Sequence, residues 1–295
     1  MLKCGSETGI TNAPASSATE AARKALAGVP AFRPVAMQLL RIMRNEDAPF
    51  QQIIALLRTD AVITAQVLRL ANSPLFASRY EIKNALQALS FLGLERLNSL
   101  LITTALRSLS AIVPARISTL CWRHNLATAI IGKWLGASTE LSPDRCYIAG
   151  LVHDIGALAM LRVFPSYESA LLEGAQQGAE LLAAETALFG IDHAEAGRWL
   201  LSNWGCPIDL QNVAAYHEEP WSGPEPDRPL LSLVHAASRL ADHLELSIFG
   251  SQREADMQEI ADFLPEKAAA LLLSRFPDLV EYVAIRVNEV ELSLM

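Results

Sequence analysis

Cysteine is scarce and scattered. Cys4, Cys121, Cys146 and Cys206 are the only four in 295 residues, and none forms a Cys-x-x-Cys pair. There is no disulfide framework here, and a reducing cytoplasm is the expected setting. Basic charge is also short: 24 Lys and Arg face 32 Asp and Glu, for a net charge of −8 and a pI near 5.3. A protein that grips nucleic acid by its phosphates needs a basic surface, so no nucleic-acid partner is expected. Long apolar runs are missing as well. No uncharged stretch reaches the roughly 18 residues of a membrane-spanning helix, and Leu97–Leu106 is closed off by Arg96 and Arg107. The first twenty residues lack the basic segment and apolar core of a signal peptide. Neither β alternation nor an internal repeat is found.

What remains is a chain with 51% hydrophobic residues, enough for one large or two small domains with a proper core. Its pattern is helical almost throughout. Phe50, Ile53, Ile54 and Leu57 follow the i, i+3, i+4, i+7 rule after Pro49. Thr59-Asp60 is placed to cap a helix carrying Ile63, Val67 and Leu70, which ends at Asn72-Ser-Pro74. Asn84 caps another, ending near Gly93, and Leu94–Leu109 continues as a further helix up to Pro114. Ile117–Leu135 follows. Ser142-Pro143-Asp144 reads as a helix start with proline in the first turn. Later helices are expected over about 166–177, 179–189, 193–203, 207–217 and 229–246, with a proline-rich loop over Pro220–Pro229 and a last helical segment over about 252–295. The expected fold is all-α. Its parts are a disordered tail over 1–20, a helical subdomain over 21–113, a second helical subdomain over 114–250, and a C-terminal extension over 251–295. The extension, with Leu271, Leu272, Leu273, Phe276, Leu279 and Val283, is expected to pack on the domain's own core; the alternative is a dimer or partner surface.

Within this frame His153-Asp154, in Gly150-Leu-Val-His-Asp-Ile-Gly156, stands out. Imidazole beside carboxylate is a ligand set for a hydrolytic divalent metal. Adjacent residues diverge by about 100° on a helix, so the two meet one ion only at a helix end or bend, which Gly156 allows. His124 lies mid-helix, His193 opens a helix and His217 closes one, and side chains from several helices of a bundle can meet on one ion. Any one of these histidines, taken alone, is as well explained as a hydrogen-bonded core group. His235 and His243 have no matching partners and read as structural.

The ordered blocks Leu68-Arg-Leu-Ala-Asn-Ser73, Phe91-Leu-Gly-Leu94, Trp122-Arg-His-Asn-Leu-Ala127, Gly150–Gly156, Gly190-Ile-Asp-His-Ala-Glu-Ala-Gly197, Trp204-Gly-Cys-Pro207 and Tyr216-His217 resemble the HDOD family, the HD-related output domain of bacterial signalling. The resemblance covers about 28–245 and implies two packed helical subdomains, the second HD-like. In the HD superfamily, metal-dependent phosphohydrolases use a His, a His-Asp doublet and a late Asp. The resemblance carries these roles to His124, His153 and Asp154, while His193 and His217 match ligands of the two-metal HD-GYP relatives. The departures are specific. Ser238 stands where the late Asp belongs, with Asp242 one turn further. Ala157 replaces the lysine that follows His-Asp-Ile-Gly in HD-GYP enzymes. Tyr216 or Glu218 would have to fill the second place of a His-His pair, and no Gly-Tyr-Pro follows.

The resulting expectation is a non-catalytic regulatory module that acts through other signalling proteins, away from membranes and nucleic acid, with homodimerisation open. Its candidate metal residues are His124, His153, Asp154, His193 and His217, a remnant site for Mn, Fe, Mg or Ni. No cofactor is otherwise expected. The alternative is a metal-dependent phosphohydrolase, in which the metal activates water against phosphorus.

Overall fold

A computed structural model describes residues 17–29, 34–42, 49–73, 80–110, 115–174, 179–246 and 256–294. Among them there are only helices and their connections. The first five are α1 (Ser17–Leu26), α2 (Pro34–Ile42), α3 (Phe50–Thr59), α4 (Ala61–Ala71) and α5 (Ala85–Ser110). Then come α6 (Ala115–Gly136), α7 (Pro143–Val152), α8 (Ile155–Val163), α9 (Tyr167–Gly174) and α10 (Ala179–Phe189). The last five are α11 (His193–Asn203), α12 (Ile208–Tyr216), α13 (Arg228–His243), α14 (Met257–Ala261) and α15 (Glu266–Leu294).

Local chemistry starts these helices where the sequence placed its caps. The Asp60 carboxylate accepts from the amides of Val62 and Ile63 at 3.0 and 3.1 Å, and Ile63, Val67 and Leu70 of α4 are buried. Asn84 accepts from the Gln87 amide at the head of α5, which breaks at Gly93 (φ 72°). Ser142 caps α7 with Pro143 in its first turn, and Asp192 caps α11 through the Glu195 amide at 2.7 Å. Each such cap is worth about 1 kcal/mol.

Helices α2 to α5 pack on one another, and α6, α7, α8, α11, α12 and α13 form a second group, with α5 touching both. The boundaries expected at 113/114 and 250/251 lie outside the described residues, as do Pro74, Pro114, Cys4 and residues 1–16 of the expected tail. Residues 17–20, assigned to that tail from their composition, open α1. This helix leans on α8, α10 and α11 of the second group. Thr19 Oγ1 donates to the Gly190 carbonyl at 2.8 Å, and Arg23 pairs with Glu195 at 2.7 Å. The C-terminal extension divides into α14 and α15. Helix α15 packs on α6 and α4 and buries Leu272, Leu279, Val283, Val287 and Val290, whereas Leu273 stays exposed. Pro143–Val163 is long and apolar enough by composition to cross a membrane, yet 89% of its most apolar window is buried, and it is two helices broken at His153-Asp154.

Candidate metal centre

The break between α7 and α8 is the first element of the site. His153 ends α7, and Asp154 precedes α8 in a non-helical conformation (φ −111°, ψ 32°). The bend turns two diverging side chains toward one cavity. Gly156, in the first turn of α8, seats the bend against α11 by close approach: a Cβ there would lie 1.8 Å from the His193 carbonyl oxygen and 2.6 Å from the Gly197 nitrogen. Only hydrogen at that position lets α8 lie against α11 and bring the doublet next to His193.

All five residues named from the sequence are buried and line one cavity of about 60 Å³. They form two facing imidazole pairs. His193 Nε2 lies 3.3 Å from His217 Nε2, and His153 Nε2 lies 3.3 Å from His124 Nε2. The outer nitrogen of every ring already has a partner. His153 Nδ1 donates to the Gly150 carbonyl at 2.6 Å, His217 Nδ1 to Ala214 at 3.0 Å and His124 Nδ1 to Leu246 at 3.1 Å. His193 Nδ1 donates to the Glu185 carboxylate at 2.7 Å. Partners of this kind fix the tautomer of a metal-binding histidine and direct its Nε2 lone pair to the ion. Two nitrogens about 2.0–2.1 Å from a tetrahedral ion sit roughly 3.3–3.4 Å apart, the spacing found in both pairs.

The carboxylates are less evenly shared. Asp154 Oδ1 is buried and has no hydrogen-bond partner among the described residues. It lies 3.9 Å from His193 Nε2, and one atom each of Asp154, His193 and His217 fall within 4.8 Å of one another. Glu218 places an oxygen 3.8 Å from Nε2 of both His193 and His217. Of the two neighbours of His217, it is Glu218 that lines the cavity, and Tyr216 does not. At the other end, Ser238 Oγ lies 3.2 Å from His124 Nε2. Asp242 reaches His124 from the far side, 3.5 Å from Nδ1. It orients the ring and does not take the place of the carboxylate that Ser238 lacks.

Burial and these neighbours set the protonation states. Burial, aided by His217 and His124, holds His153 well below the usual histidine value. Burial, with His193 beside it, takes His217 down to about 3. Burial also opposes charge on His193, but Glu185 outweighs it and raises this ring to about 10. Asp154 is pushed up to about 6 by burial, with His193 and His124 pulling the other way. Without an ion, these shifts favour a protonated His193 facing a neutral His217 across 3.3 Å, and a divalent cation binding there would displace that proton. An orphaned carboxylate oxygen and converging nitrogen lone pairs fit a divalent ion.

Three residues of the site were not read from the sequence as functional. Glu185 on α10 accepts from the amide and ring of His193 and from the Tyr167 hydroxyl at 2.5 Å. His235, read as structural, lines the cavity and donates from Nδ1 to the His217 carbonyl at 2.6 Å. No spacing rule marks Glu185, Tyr167 or His235, since each comes from a separate helix.

The arrangement has counterparts. An uncharacterized protein of Treponema pallidum (strain Nichols) is 26% identical over 245 residues, 77% of this chain and 47% of the relative, so the chain spans about half the length of that curated relative. An HDOD domain protein of unknown function from Geobacter sulfurreducens superposes with a TM-score of 0.76 at 23% identity, covering 92% of this chain and 97% of that one. A Shewanella amazonensis SB2B protein described as a candidate phosphohydrolase superposes with a TM-score of 0.70 at 23% identity, covering 95% and 99%. At these identities the structural likeness establishes the fold. The HDOD domain model matches residues 29–220, about two thirds of the sequence, and the chain belongs to the HDOD domain family.

Proposed function

We propose that this chain is a cytoplasmic regulatory module of bacterial signalling that holds one divalent cation and works through protein contacts without turnover. The observation that carries the metal reading is the set of four histidines with every Nδ1 engaged, so that the Nε2 lone pairs converge beside the orphaned Asp154 oxygen. Asp154, His193, His217 and Glu218 would hold the ion, and Glu185 and Tyr167 would keep His193 in place. Of Mn, Fe, Mg and Ni, Fe and Ni suit imidazole ligands, Mn and Mg suit the carboxylates, and Mg, which takes oxygen ligands, fits a pair of imidazoles least well. Bound there, the ion would tie α8, α11 and the end of α12 together and could polarise a phosphoryl oxygen.

The non-catalytic reading is supported by Ser238, a hydroxyl where the superfamily pattern has its last carboxylate. Contacts with other signalling proteins, or with a second copy, are supported by exposed apolar side chains on two sets of helices. Phe50, Val62, Leu86 and Phe91 lie on α3 to α5, and Leu273, Val280, Ile285 and Leu292 on α15. The test is metal analysis of protein purified without chelators, followed by assay with bis(4-nitrophenyl) phosphate. The expected result is close to one ion per chain and no turnover with Mn²⁺, Mg²⁺, Fe²⁺ or Ni²⁺. Turnover that is lost in His153→Ala and Asp154→Ala would support the second reading, a metal-dependent phosphohydrolase. The observation favouring that reading is Glu218, whose side chain is 29% exposed at the cavity: in that reading Asp154, His193 and His217 alone would hold the ion and Glu218 would be left to exchange protons with a ligand.

A further inference from the structure

His217 and Glu218 are joined by one peptide, and the carbonyl of that peptide accepts from His235 Nδ1 at 2.6 Å. The last carbonyls of a helix have no partner within it, and His217 stands at the end of α12. The bond therefore orients the peptide plane from which both side chains are aimed. It holds only while the His235 ring keeps its angle, because a hydrogen bond weakens steeply off axis. The ring's own torsion does not fix that angle, since χ2 of histidine has broad wells. Its neighbours must do so. Phe263 meets the ring edge-on, with centroids 4.6 Å apart and planes at 62°. Trp221 approaches it at 6.2 Å and 74° and stacks on Phe263 at 6.3 Å and 25°. Trp221 is 58% exposed and Phe263 half-buried, so Phe263 is the closer and better sheltered of the two.

Phe263 belongs to the C-terminal extension. It follows α14, where its amide donates to the Ile260 carbonyl at 3.3 Å and the Leu264 amide to Ala261 at 2.9 Å. Ile260 and Leu264 are buried, and α14 packs on α13, the helix that carries His235. We infer that Phe263 is a positioning residue for His217 and Glu218, acting through the His235 ring, so that the extension sets how tightly the cavity keeps its ion. This rests on the metal reading above, which gives His217 and Glu218 their role as ligands. Core packing alone would accept any apolar side chain at position 263. A ring is needed there only if the plane of His235 has to be held, since edge-to-face contact is directional and aliphatic contact is not. The route is short: one ring contact, one hydrogen bond and one peptide. By reciprocity, an ion in the cavity stabilises the Phe263 contact as much as that contact stabilises the ion.

Manganese titration of the full chain tests this, with chemical denaturation as the control for folding. Phe263→Leu keeps the apolar bulk but loses the ring, and is expected to weaken manganese binding about threefold or more. Phe263→Tyr keeps the ring and is expected to recover most of that loss. His235→Leu removes the donor itself and should cost about 10–100-fold. Binding by Phe263→Leu equal to wild type, or equal losses in Phe263→Leu and Phe263→Tyr, would overturn the inference. If wild type binds no manganese, the metal reading fails on that measurement alone. Hydrogen exchange of the metal-free chain then decides the positioning role. Exchange at residues 216–219 should quicken in Phe263→Leu and stay as in wild type in Phe263→Tyr, and exchange unchanged in both variants overturns it.

Discussion

His193 faces His217, and His124 faces His153, each across 3.3 Å, yet different groups stand behind the two pairs. The first pair has Glu185 on the outer nitrogen of one ring and Asp154 and Glu218 near the inner ones. The second has two backbone carbonyls on its outer nitrogens, with Asp242 3.5 Å from one of them, and at its inner face a serine hydroxyl in place of any carboxylate. Facing imidazoles therefore do not by themselves specify a cation site. The supply of negative charge decides where an ion settles, and here it is concentrated at one end of the cavity.

The largest effect should come from the contacts that assemble each pair. Gly156→Ala would drive a Cβ into the backbone of α11 at 1.8 Å, and backbone atoms have no rotamer by which to escape. A loss of about 3 kcal/mol is expected, at the upper end of ordinary overpacking. Gly150→Ala, between α7 and α6, would meet Ala129 backbone atoms at 2.8 Å and should cost less, about 1–2 kcal/mol. Chemical denaturation of both variants checks the order. If Gly150→Ala proves the more damaging, the His124–His153 end is the more rigidly built of the two.

Next is the charge behind the rings. Glu185→Gln keeps an acceptor for His193 Nδ1 but removes the carboxylate. Loss of such an outer partner typically lowers metal affinity about 10–100-fold, and manganese titration should find that here. Asp242→Asn, the matching change behind His124, should leave manganese affinity within about threefold, since a carboxylate behind a ring matters only where that ring holds the ion. Equal losses from both variants would mean that the ion spans the two pairs. Ser238→Asp goes the other way, because it gives the His124–His153 end its own carboxylate. Metal content should rise from one ion per chain toward two, and a value that stays at one would show that His124 and His153 are not spaced for a ligand role.

Much of this was legible in the sequence. Asp60, Asn84 and Ser142 act as caps where polar residues precede apolar periodicity, because capping is local chemistry between residues two or three apart. His124, His153, Asp154, His193 and His217 do meet, which the order of motif blocks implied. Glu185 was not legible. An acidic residue on an Ala- and Leu-rich helix looks like a solvated one, and only the docking of α10 on α11 buries it against His193. The distinct positions of Ser238 and Asp242 around His124 were partly legible. One turn of helix separates them, but which ring nitrogen each would meet depends on how α13 lies across α6. The first four residues of α1, 17–20, look like tail in the sequence for a similar reason: the helix's partners, Gly190 and Glu195, are more than 170 residues away.

That distant contact gives the smallest expected effect. Helix α1 leans on α8, α10 and α11, the elements that carry Asp154's bend, Glu185 and His193, and it touches neither α6 nor α7 among the stronger contacts. Its ion pair, Arg23 with Glu195, is more than a third exposed on both sides, so solvent screens it and Arg23→Ala should cost at most about 1 kcal/mol. The change should still be lopsided. Hydrogen exchange should quicken in α11 around His193 and remain as in wild type in α6 around His124, because only the first is held by α1. Exchange that quickens equally in both helices would show that the two ends of the cavity open as one cooperative unit, and the carboxylate-rich end would then owe nothing of its own order to the N-terminal helix.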